Sequence, residues 1–324
     1  MGVNILTRLR RDLASLAPLI ALIFCGAAPA SAQQFVLPAQ MAGQTVLYVG
    51  AHPDDEWGVT PILADACLNR GARCHFVTLA NGPGYGCLLT IGLRDPHECS
   101  RRRSEEMSRA AAYFGGSADL FGLGDLFYAF NEAGMNRTIA EWSESSGGRE
   151  ALVGRLRAII MRERPTLILT FDPRHGSSCH SGHRAAATLL VEAVRGLPEH
   201  DRPAVWLEQT TDMVEAAPGM GGLIDALGYV PWNSTIGQTV FYDANRRLPD
   251  GMTGFDHVIA ERRIHATQMP DEASGKVVPN PPRDWRRVPL HRLDDSVAGD
   301  FCTGLNLDRP TLDFPENRKR FGID

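Results

Sequence analysis

Short apolar runs alternate with amphipathic segments along residues 45–207. Runs rich in β-branched and other large apolar residues predict buried strands, and apolar positions that recur every three or four residues predict helices. The predicted strands are 45–51, 72–79, 119–123, 165–171 and 204–207. The predicted helices are 60–69, 101–114, 150–162, 183–195 and 255–267. The segment 81–96 is rich in Gly and Pro and predicts a loop.

This order of elements predicts the fold class. Alternating strands and helices are typical of an α/β fold, in which helices cover both faces of a mostly parallel sheet. We therefore expect a Rossmann-like sheet. After about residue 210 the pattern breaks up into Pro-rich loops around the helix 255–267, which predicts an irregular C-terminal layer. No internal repeat or low-complexity tract divides the chain, so residues 33–324 are expected to form a single domain.

The first 32 residues have the pattern of a secretory signal peptide. Three arginines within residues 8–11 precede an apolar run over residues 16–28, and Ala-Ser-Ala at 30–32 fits a cleavage site. The apolar run is shorter than the ~20 residues that span a bilayer, although an uncleaved signal anchor is the alternative. We therefore expect an exported protein, periplasmic or secreted, with no stable membrane span after cleavage.

Removal of the leader leaves an even number of cysteines, which favours disulfides in an exported protein. They are Cys67, Cys74, Cys87, Cys99, Cys179 and Cys302. Proximity along the chain suggests the pairs 67–74 and 87–99, which leaves 179–302, although the sequence alone does not resolve the pairing. Several buried free thiols are the alternative. The sequence contains no Cys-x-x-Cys motif, so it does not support a zinc site made of thiolates.

The composition is that of a globular protein. Hydrophobic residues make up 44% and charged residues 22% of the chain, which excludes a disordered tail, a collagen and a polytopic membrane protein. The net charge is −5, and no Lys/Arg block is longer than residues 101–103, so nothing indicates a nucleic-acid partner. We expect a small-molecule or glycan substrate, and the sequence leaves the oligomeric state open.

Residues with metal-binding side chains follow two predicted strands. The segment 52–56, His-Pro-Asp-Asp-Glu, comes directly after the first strand, and the segment 172–183 holds three of the ten histidines. In α/β folds ligands bind at the carboxyl ends of the strands, so we expect the two segments to converge there. A catalytic zinc takes three ligands from His and Asp/Glu and leaves a position for water. The two segments together could supply such a set.

Within the second segment two histidines have helical spacing. His180 and His183 are three residues apart, so they are neighbours on the first turn of a helix. Either could bind the metal, or one could bind it while the other reaches the substrate. The alternative for the first segment is a helix cap with an ion pair between His52 and Asp55. His175 fits a loop position without function as well as it fits a functional one.

Four motifs resemble the PIG-L/LmbE family of zinc-dependent N-acetylglucosaminyl (GlcNAc) de-N-acetylases. The segment 51–56, Ala-His-Pro-Asp-Asp-Glu, is similar to the family signature, and 180–183 is similar to its second, His-x-x-His motif. The segment 103–115 resembles the helix between them, where family members place an Arg and a Glu. The segment 265–268, His-Ala-Thr-Gln, resembles a short motif that ends a late helix. The resemblance covers about residues 46–268.

The resemblance implies a metal-dependent amide hydrolase. His52, Asp55 and His183 would be the ligands of a zinc ion, although other divalent first-row metals fit such a set. Asp54 would be the general base that takes a proton from the metal-bound water. His180 would stabilise the charge of the tetrahedral intermediate or protonate the leaving amine.

Other roles are implied around this centre. Arg103 would contact the substrate, unless its place in a run of three arginines makes it part of a solvated face. Asp125, just after the third strand, would bind a sugar hydroxyl. Glu56 would hold a ligand histidine or act as a charge at a helix N-terminus. For His265 a packed core histidine is the alternative to a catalytic one.

The sequence also departs from the family pattern. The family often has Pro-Asp between the two histidines of the second motif, and Ser181 and Gly182 stand there instead. A carboxylate that could orient His180 is then missing, and Asp172 is a candidate to replace it. Some bacterial members have a tyrosine where this chain has Ser178. These departures concern contacts to the transition state rather than the metal.

The sequence therefore predicts an exported, zinc-dependent de-N-acetylase that acts on an amino sugar or a sugar conjugate. An amidase for a larger acyl or peptide-like conjugate is one alternative, because the loop 81–96 could build a wider pocket. A carbohydrate-binding protein without turnover is another. Asp54 argues against the last alternative, since a protein without turnover has no use for an acid that does not bind the metal.

Overall fold

The strands form close to their predicted positions. The computed structural model describes residues 33–84, 86–126, 128, 131–208, 240–276 and 287–293. Its strands are β1 (Gln33–Gln34), β2 (Thr45–Gly50), β3 (Arg73–Thr78), β4 (Ser117–Leu120), β5 (Leu167–Phe171), β6 (Ala204–Glu208), β7 (Val240–Asp243) and β8 (Arg287–Arg292). The five predicted strands correspond to β2 through β6.

From β2 onward these strands belong to one mixed sheet, with the order β7-β8-β6-β5-β2-β3-β4. Strands β2 to β6 pair in parallel. Strand β8 is antiparallel to β6, and β7 is antiparallel to β8. The predicted α/β fold with a mostly parallel sheet is confirmed. The predicted irregular C-terminal layer is wrong for β7 and β8, because both strands extend the sheet. The sequence did not indicate them, since β7 is only four residues long and β8 contains Pro289, a residue that is rare within strands.

Helices connect the strands. They are α1 (Thr60–Leu63, continued by a π-helical turn Ala64–Asn69), α2 (Gly86–Ile91), α3 (Pro96–Tyr113), α4 (Glu132–Ser145), α5 (Arg149–Glu163), α6 (Gly176–Cys179), α7 (Ser181–Arg195), α8 (Gly254–Arg262) and α9 (Pro270–Ala273). Short 3₁₀ turns lie at Asp55–Gly58 and Glu199–Asp201.

The helix predictions need four corrections. The predicted helix 255–267 corresponds to α8 and ends at Arg262. Helix α3 begins at Pro96 rather than 101, because the Asp95 side chain accepts from the backbone N–H groups of His97 and Glu98 and caps the helix. Residues 86–91, predicted as loop, are helical. Helix α4 was not predicted, and its buried face carries Gly134, Thr138 and Ser143 beside Ile139 and Trp142.

Both faces of the sheet are buried, as its continuous apolar strands predict. Along β2, Leu47 and Val49 pack into a cluster with side chains of α4, α5 and α7. Their neighbours Val46 and Tyr48 point the other way, into a second cluster with α1 and α3. The sheet is therefore fixed on both sides, and the loops at its carboxyl edge leave from a rigid base.

The strand order places the two motif-bearing loops side by side. Strand β2 lies between β3 and β5. From β2 the chain continues outward to β3 and β4, and it then returns to β5 on the other side of β2. The loops after β2 and β5 therefore leave the sheet in opposite directions and open the crevice in which α/β proteins bind ligands.

Two predicted disulfides are confirmed. Cys67 is bonded to Cys74 and Cys87 to Cys99. Cys179 is also disulfide-bonded, and its predicted partner Cys302 lies outside the described residues. The predicted signal peptide, residues 1–32, lies outside them as well. Among the helices that the structure describes, none has the length and apolar character to cross a bilayer.

Candidate metal centre

The Asp55 carboxylate stabilises the loop after β2 by hydrogen bonds and lies close to both histidines that are predicted as ligands. Asp55 Oδ2 accepts hydrogen bonds from the backbone N–H groups of Ala51 and His52, each at 2.7 Å. Its other oxygen, Oδ1, lies 3.1 Å from His183 Nε2 and 3.5 Å from His52 Nδ1. Ligand atoms around a tetrahedral zinc with bonds of about 2.0–2.1 Å are about 3.3 Å apart. The two distances from Asp55 Oδ1 therefore match the spacing of ligand atoms, and the three atoms belong to the residues predicted as ligands.

The tautomer of His183 suits a ligand. Its Nδ1 lies 2.8 Å from the carbonyl oxygen of Gly176, which can only accept a hydrogen bond, so Nδ1 carries the proton. In the neutral ring the lone pair is then on Nε2, the atom that faces Asp55. The ring also stacks on Phe171, with centroids 4.4 Å apart. Both contacts fix the orientation in which Nε2 can bind a metal.

His180 has the opposite tautomer. It caps the N-terminus of α7, where its Nδ1 accepts the backbone N–H of Gly182 at 3.2 Å. In the neutral ring the proton is therefore on Nε2, which makes that atom a hydrogen-bond donor. The nitrogens of His180 also lie close to those of His52 and His183, and these three histidines could hold an ion geometrically. Because a protonated nitrogen is no ligand, this tautomer agrees with the prediction that Asp55, and not His180, is the third ligand, which stays a prediction.

A second carboxylate faces the far side of His52. Asp125 Oδ1 lies 3.3 Å from His52 Nε2. Both atoms are buried and make no hydrogen bond among the described residues. Metal-binding histidines commonly pair their other nitrogen with a carboxylate, which orients the ring. The predicted contact of Asp125 with a sugar hydroxyl stays a prediction. In the structure the carboxylate of Asp125 faces the ring of His52 instead.

The charges of the cluster favour a cation. Burial alone would lower the pKa of His52, but Asp55 and Asp125 raise it to about 10. Burial likewise opposes the charged form of Asp55, yet His183 and His52 hold the pKa of its carboxyl well below the usual range. Two buried carboxylates thus demand positive charge between them. A divalent ion supplies that charge and leaves the imidazoles neutral, so the residues present fit a metal.

Arg103 is part of the centre and not of a solvated face. It is buried, while its neighbours Arg101 and Arg102 are exposed. Its guanidinium donates to Asp54 Oδ1 at 2.9 Å and to Asp125 Oδ2 at 2.8 Å. It therefore ties the carboxylate beside the ligands to the one behind His52. Its predicted contact with substrate stays a prediction.

The side chain of Asp54 is close to the ligands and outside their set. Its backbone has φ 108°, in the left-handed region that non-glycine residues rarely adopt. This turn directs Asp54 to Arg103 while the next residue faces the histidines. Burial raises the pKa of Asp54, and the charge of Arg103 only partly offsets that effect. The predicted role of Asp54 as general base stays a prediction.

Gly182 stands where the family often has aspartate, and the structure shows what its small size permits. A Cβ atom at this position would lie 2.9 Å from His52 Cε1 and 3.3 Å from His180 Nδ1. The two rings, 4.8 Å apart, therefore pack over the backbone of Gly182. Its N–H orients His180, so a carboxylate is not needed for that purpose.

Asp172 does not replace that carboxylate. Its oxygens bind Arg174 and lie 3.0 Å from His291 Nε2 in β8. Burial opposes its charge, yet His175 and these two partners hold the pKa of Asp172 well below its usual range. His175 is buried as well, and burial lowers its pKa to about 4. The cluster is a neighbouring ionic network that anchors the loop, and His175 is a buried member of it. The side chain of Ser178 lies outside the described part.

Two buried groups near the centre were missed or misassigned. Glu56 does not hold a ligand histidine: its Oε1 lies 2.8 Å from His265 Nε2. Glu208, the last residue of β6, is buried with its carboxyl group against Gly58. Burial, with a contribution from Asp55, raises the pKa of Glu208 to about 8. The sequence signal for Glu208 was its place directly after a predicted strand, at the edge that carries the centre.

The fold and the site together define a class: an α/β protein with a cluster of side chains that could bind a metal and a buried carboxylate beside it, as in metal-dependent hydrolases. Residues 47–194 match the family PIG-L, described as GlcNAc-PI de-N-acetylase. Residues 47–194 therefore form a PIG-L family domain, of the kind found in metal-dependent hydrolases that act on N-acetyl amides. No curated protein matches the chain significantly.

Solved structures are similar in fold. A deacetylase of the teicoplanin biosynthesis pathway, solved with teicoplanin, is 16% identical with a TM-score of 0.51, over 78% of this chain and 100% of that chain. The A40926 pseudoaglycone deacetylase Dbv21 is 16% identical with a TM-score of 0.48, over 76% and 95%. GalB, the 4-carboxy-2-hydroxymuconate hydratase of Pseudomonas putida, is 17% identical with a TM-score of 0.45, over 79% and 98%. At 16% identity and a TM-score of 0.51, the similarity to the teicoplanin-pathway deacetylase shows the α/β fold alone.

Proposed function

We propose that this protein is an exported, zinc-dependent de-N-acetylase that hydrolyses the N-acetyl amide of an amino sugar or of a sugar conjugate. The observation that carries the proposal is the division of labour between two adjacent carboxylates. Asp55 Oδ1 faces His183 and His52 at ligand spacing, while Asp54 turns away from them to Arg103. Amide hydrolysis by a metal centre needs both a ligand set and a separate base.

His52, Asp55 and His183 would hold the ion. When bound, zinc lowers the pKa of a water molecule towards ~7 and polarises a carbonyl group. Asp54 would accept a proton from the attacking water while the oxygen of that water bonds to the amide carbon. As the C–N bond breaks, that proton passes to the leaving nitrogen, and the products are acetate and a free amine.

Two further side chains would act on the developing charge. His180 presents an Nε2–H, as its Nδ1 contact requires, and would donate to the carbonyl oxygen as it becomes negative. Arg103 holds Asp54 Oδ1 at 2.9 Å and so fixes the direction from which the base takes the proton. The donor and the base thus act on different atoms of the same amide.

Acetate release from a panel of N-acetylated sugars tests this function. The panel contains N-acetylglucosamine, an N-acetylated disaccharide, and a glycoconjugate with a longer acyl amide. We expect acetate from at least one N-acetyl sugar, loss of the activity after treatment with a chelator, and recovery on addition of zinc. Release of only the longer acyl group would favour the wider amidase. Binding of the sugars without any turnover would favour the receptor, and activity that survives complete metal removal would contradict the metal centre.

The export part of the proposal predicts a defined mature chain. Mass spectrometry of the unreduced protein from an expression host should show a chain that begins at Gln33 and contains three disulfides. The Cys67–Cys74 and Cys87–Cys99 bonds support this expectation. A full-length chain with Met1 retained would contradict cleavage, and free thiols at most of the six positions would contradict maturation in an oxidising compartment.

A further inference from the structure

A second cluster of acidic and histidine side chains lies behind the base, and the proposed mechanism does not use it. Glu56, Glu261 and His265 are all buried, with exposed fractions of 0%, 0% and 1%. His265 Nε2 lies 2.8 Å from Glu56 Oε1 and 2.8 Å from Glu261 Oε1. The imidazole therefore joins a residue of the loop after β2 to the last turn of α8.

The cluster touches the backbone of the base. Glu56 Oε2 accepts the N–H of Asp54 at 3.2 Å, and this N–H belongs to the residue with φ 108°. A non-glycine residue in that conformation persists only when its surroundings hold it. On one side of Asp54 the holding group is the Arg103 guanidinium. On the other side it is the Glu56 carboxylate, whose second oxygen is fixed by His265.

The same segment is anchored to the helix that carries Arg103. The backbone N–H and the hydroxyl of Thr267 donate to the two oxygens of Glu106, at 2.9 and 2.6 Å. Glu106 lies on α3, one turn after Arg103. Residues 265–267 are therefore bound both to the loop of the base and to the helix of its guanidinium partner, so they fix the distance between the two.

The cluster contains a buried positive charge. Burial lowers the pKa of His265, but Glu56 and Glu261 raise it well above its usual range, so the ring is an imidazolium. Burial and the charge of Glu56 raise the pKa of Glu261 to about 8. The positive ring lies between two acidic side chains, at 2.8 Å from each, which lowers the cost of burying its charge.

We propose that Glu56, His265 and Glu261 form a positioning triad that holds Asp54 in its left-handed conformation and thereby aims its carboxylate. The inference rests on the proposed role of Asp54 as general base. In the proposed mechanism none of the three binds the substrate or the catalytic metal. Loss of the triad should therefore reduce the rate of the chemical step and leave metal and substrate binding in place.

His265→Ala tests the triad, with His257→Ala as the matched control. His257 is a buried histidine in α8 that pairs with Asp250 at 3.0 Å, and it lies outside the triad. We expect kcat of His265→Ala to fall about 10–100-fold, as for other residues that orient an active group. KM and bound zinc should stay within about twofold of the unaltered protein. His265→Gln, which keeps a donor for Glu56, should recover most of the rate. His257→Ala should keep kcat.

Amide hydrogen exchange of residues 52–57 gives a readout that does not depend on turnover. Faster exchange there in His265→Ala, but not in His257→Ala, is the expected result, and it stays measurable if no substrate of the panel is hydrolysed. Unchanged exchange, or a kcat of His265→Ala equal to that of the control, would overturn the triad. A second zinc equivalent that disappears in His265→Ala would show a metal site there instead. If His265→Ala does not fold, Glu261→Ala carries the same comparison, and a rate and an exchange equal to those of the unaltered protein would overturn the proposal.

Discussion

Alanine at His52, Asp55 or His183 is expected to remove bound zinc and to reduce acetate release to the level of the metal-free protein. Each of the three contributes one atom to a group whose members lie 3.1 and 3.5 Å from Asp55 Oδ1. A catalytic zinc has three protein ligands, so the loss of one leaves no redundancy. Zinc content by elemental analysis and acetate release by the same preparation would be measured together, with thermal unfolding to show that each variant folds.

The sharpest control is the neighbouring histidine. His180→Ala should keep zinc and lose rate, because the His180 Nδ1 accepts from Gly182 and its other nitrogen is a donor. His175→Ala, in the same loop but paired with Asp172, should keep zinc and most of the rate. Full zinc content in His183→Ala, or loss of zinc from His180→Ala alone, would mean that the tautomer argument assigns the ligands wrongly.

The location of the centre could be predicted from the sequence because it depends on local patterns. The buried strands β2 and β5 read as continuous apolar runs, and the motifs follow each run directly. Once both strands are parallel neighbours, the loops after them must meet at one edge. The two disulfides within the described residues were predictable for the same reason, since each closes a short segment of chain.

Contacts between distant segments could not be predicted in this way. A run of three arginines gives no sign that Arg103 alone is buried, because that depends on which face of α3 turns to Asp54 and Asp125. Likewise, the residue after β4 that was expected to meet a sugar lies behind His52. The pattern of a single sequence indicates which face of a helix is apolar. A charged residue buried within that face can be recognised only in the structure, which shows the residues that pair with it.

The pairing of Glu56 with His265 shows the same limit over a longer distance, since 209 positions separate the two residues. The predicted helix 255–267 ends at Arg262, and the turn that follows brings His265 to the loop after β2. Helical periodicity alone gave no reason to end the helix there. A resemblance to a motif named these residues, but only the structure shows that they face the backbone of Asp54.

Asn at position 54 is expected to separate base from ligand. Asn tolerates the left-handed backbone of this residue, at φ 108°, and its oxygen can still accept from Arg103, so the loop should keep its shape. The amide cannot take a proton at neutral pH. We therefore expect Asp54→Asn to keep zinc and KM while kcat falls by ~10²–10⁴, the usual contribution of general acid–base catalysis.

Asp55→Asn should behave differently, because the two oxygens of Asp55 make different contacts. Oδ2 accepts two backbone N–H groups at 2.7 Å, and an amide that keeps these bonds must turn its NH₂ group towards His183 and His52. A donor then faces the position of the cation, so zinc and activity should be lost together. Zinc content, kcat and KM measured for both variants decide between the roles. Zinc lost from Asp54→Asn and retained in Asp55→Asn would mean that the two roles are exchanged. Near-normal turnover in both variants would mean that the reaction takes place elsewhere in the protein. The contrast is sharp because Asp54 and Asp55 are adjacent in the chain, and only Asp55 is proposed to bind the metal.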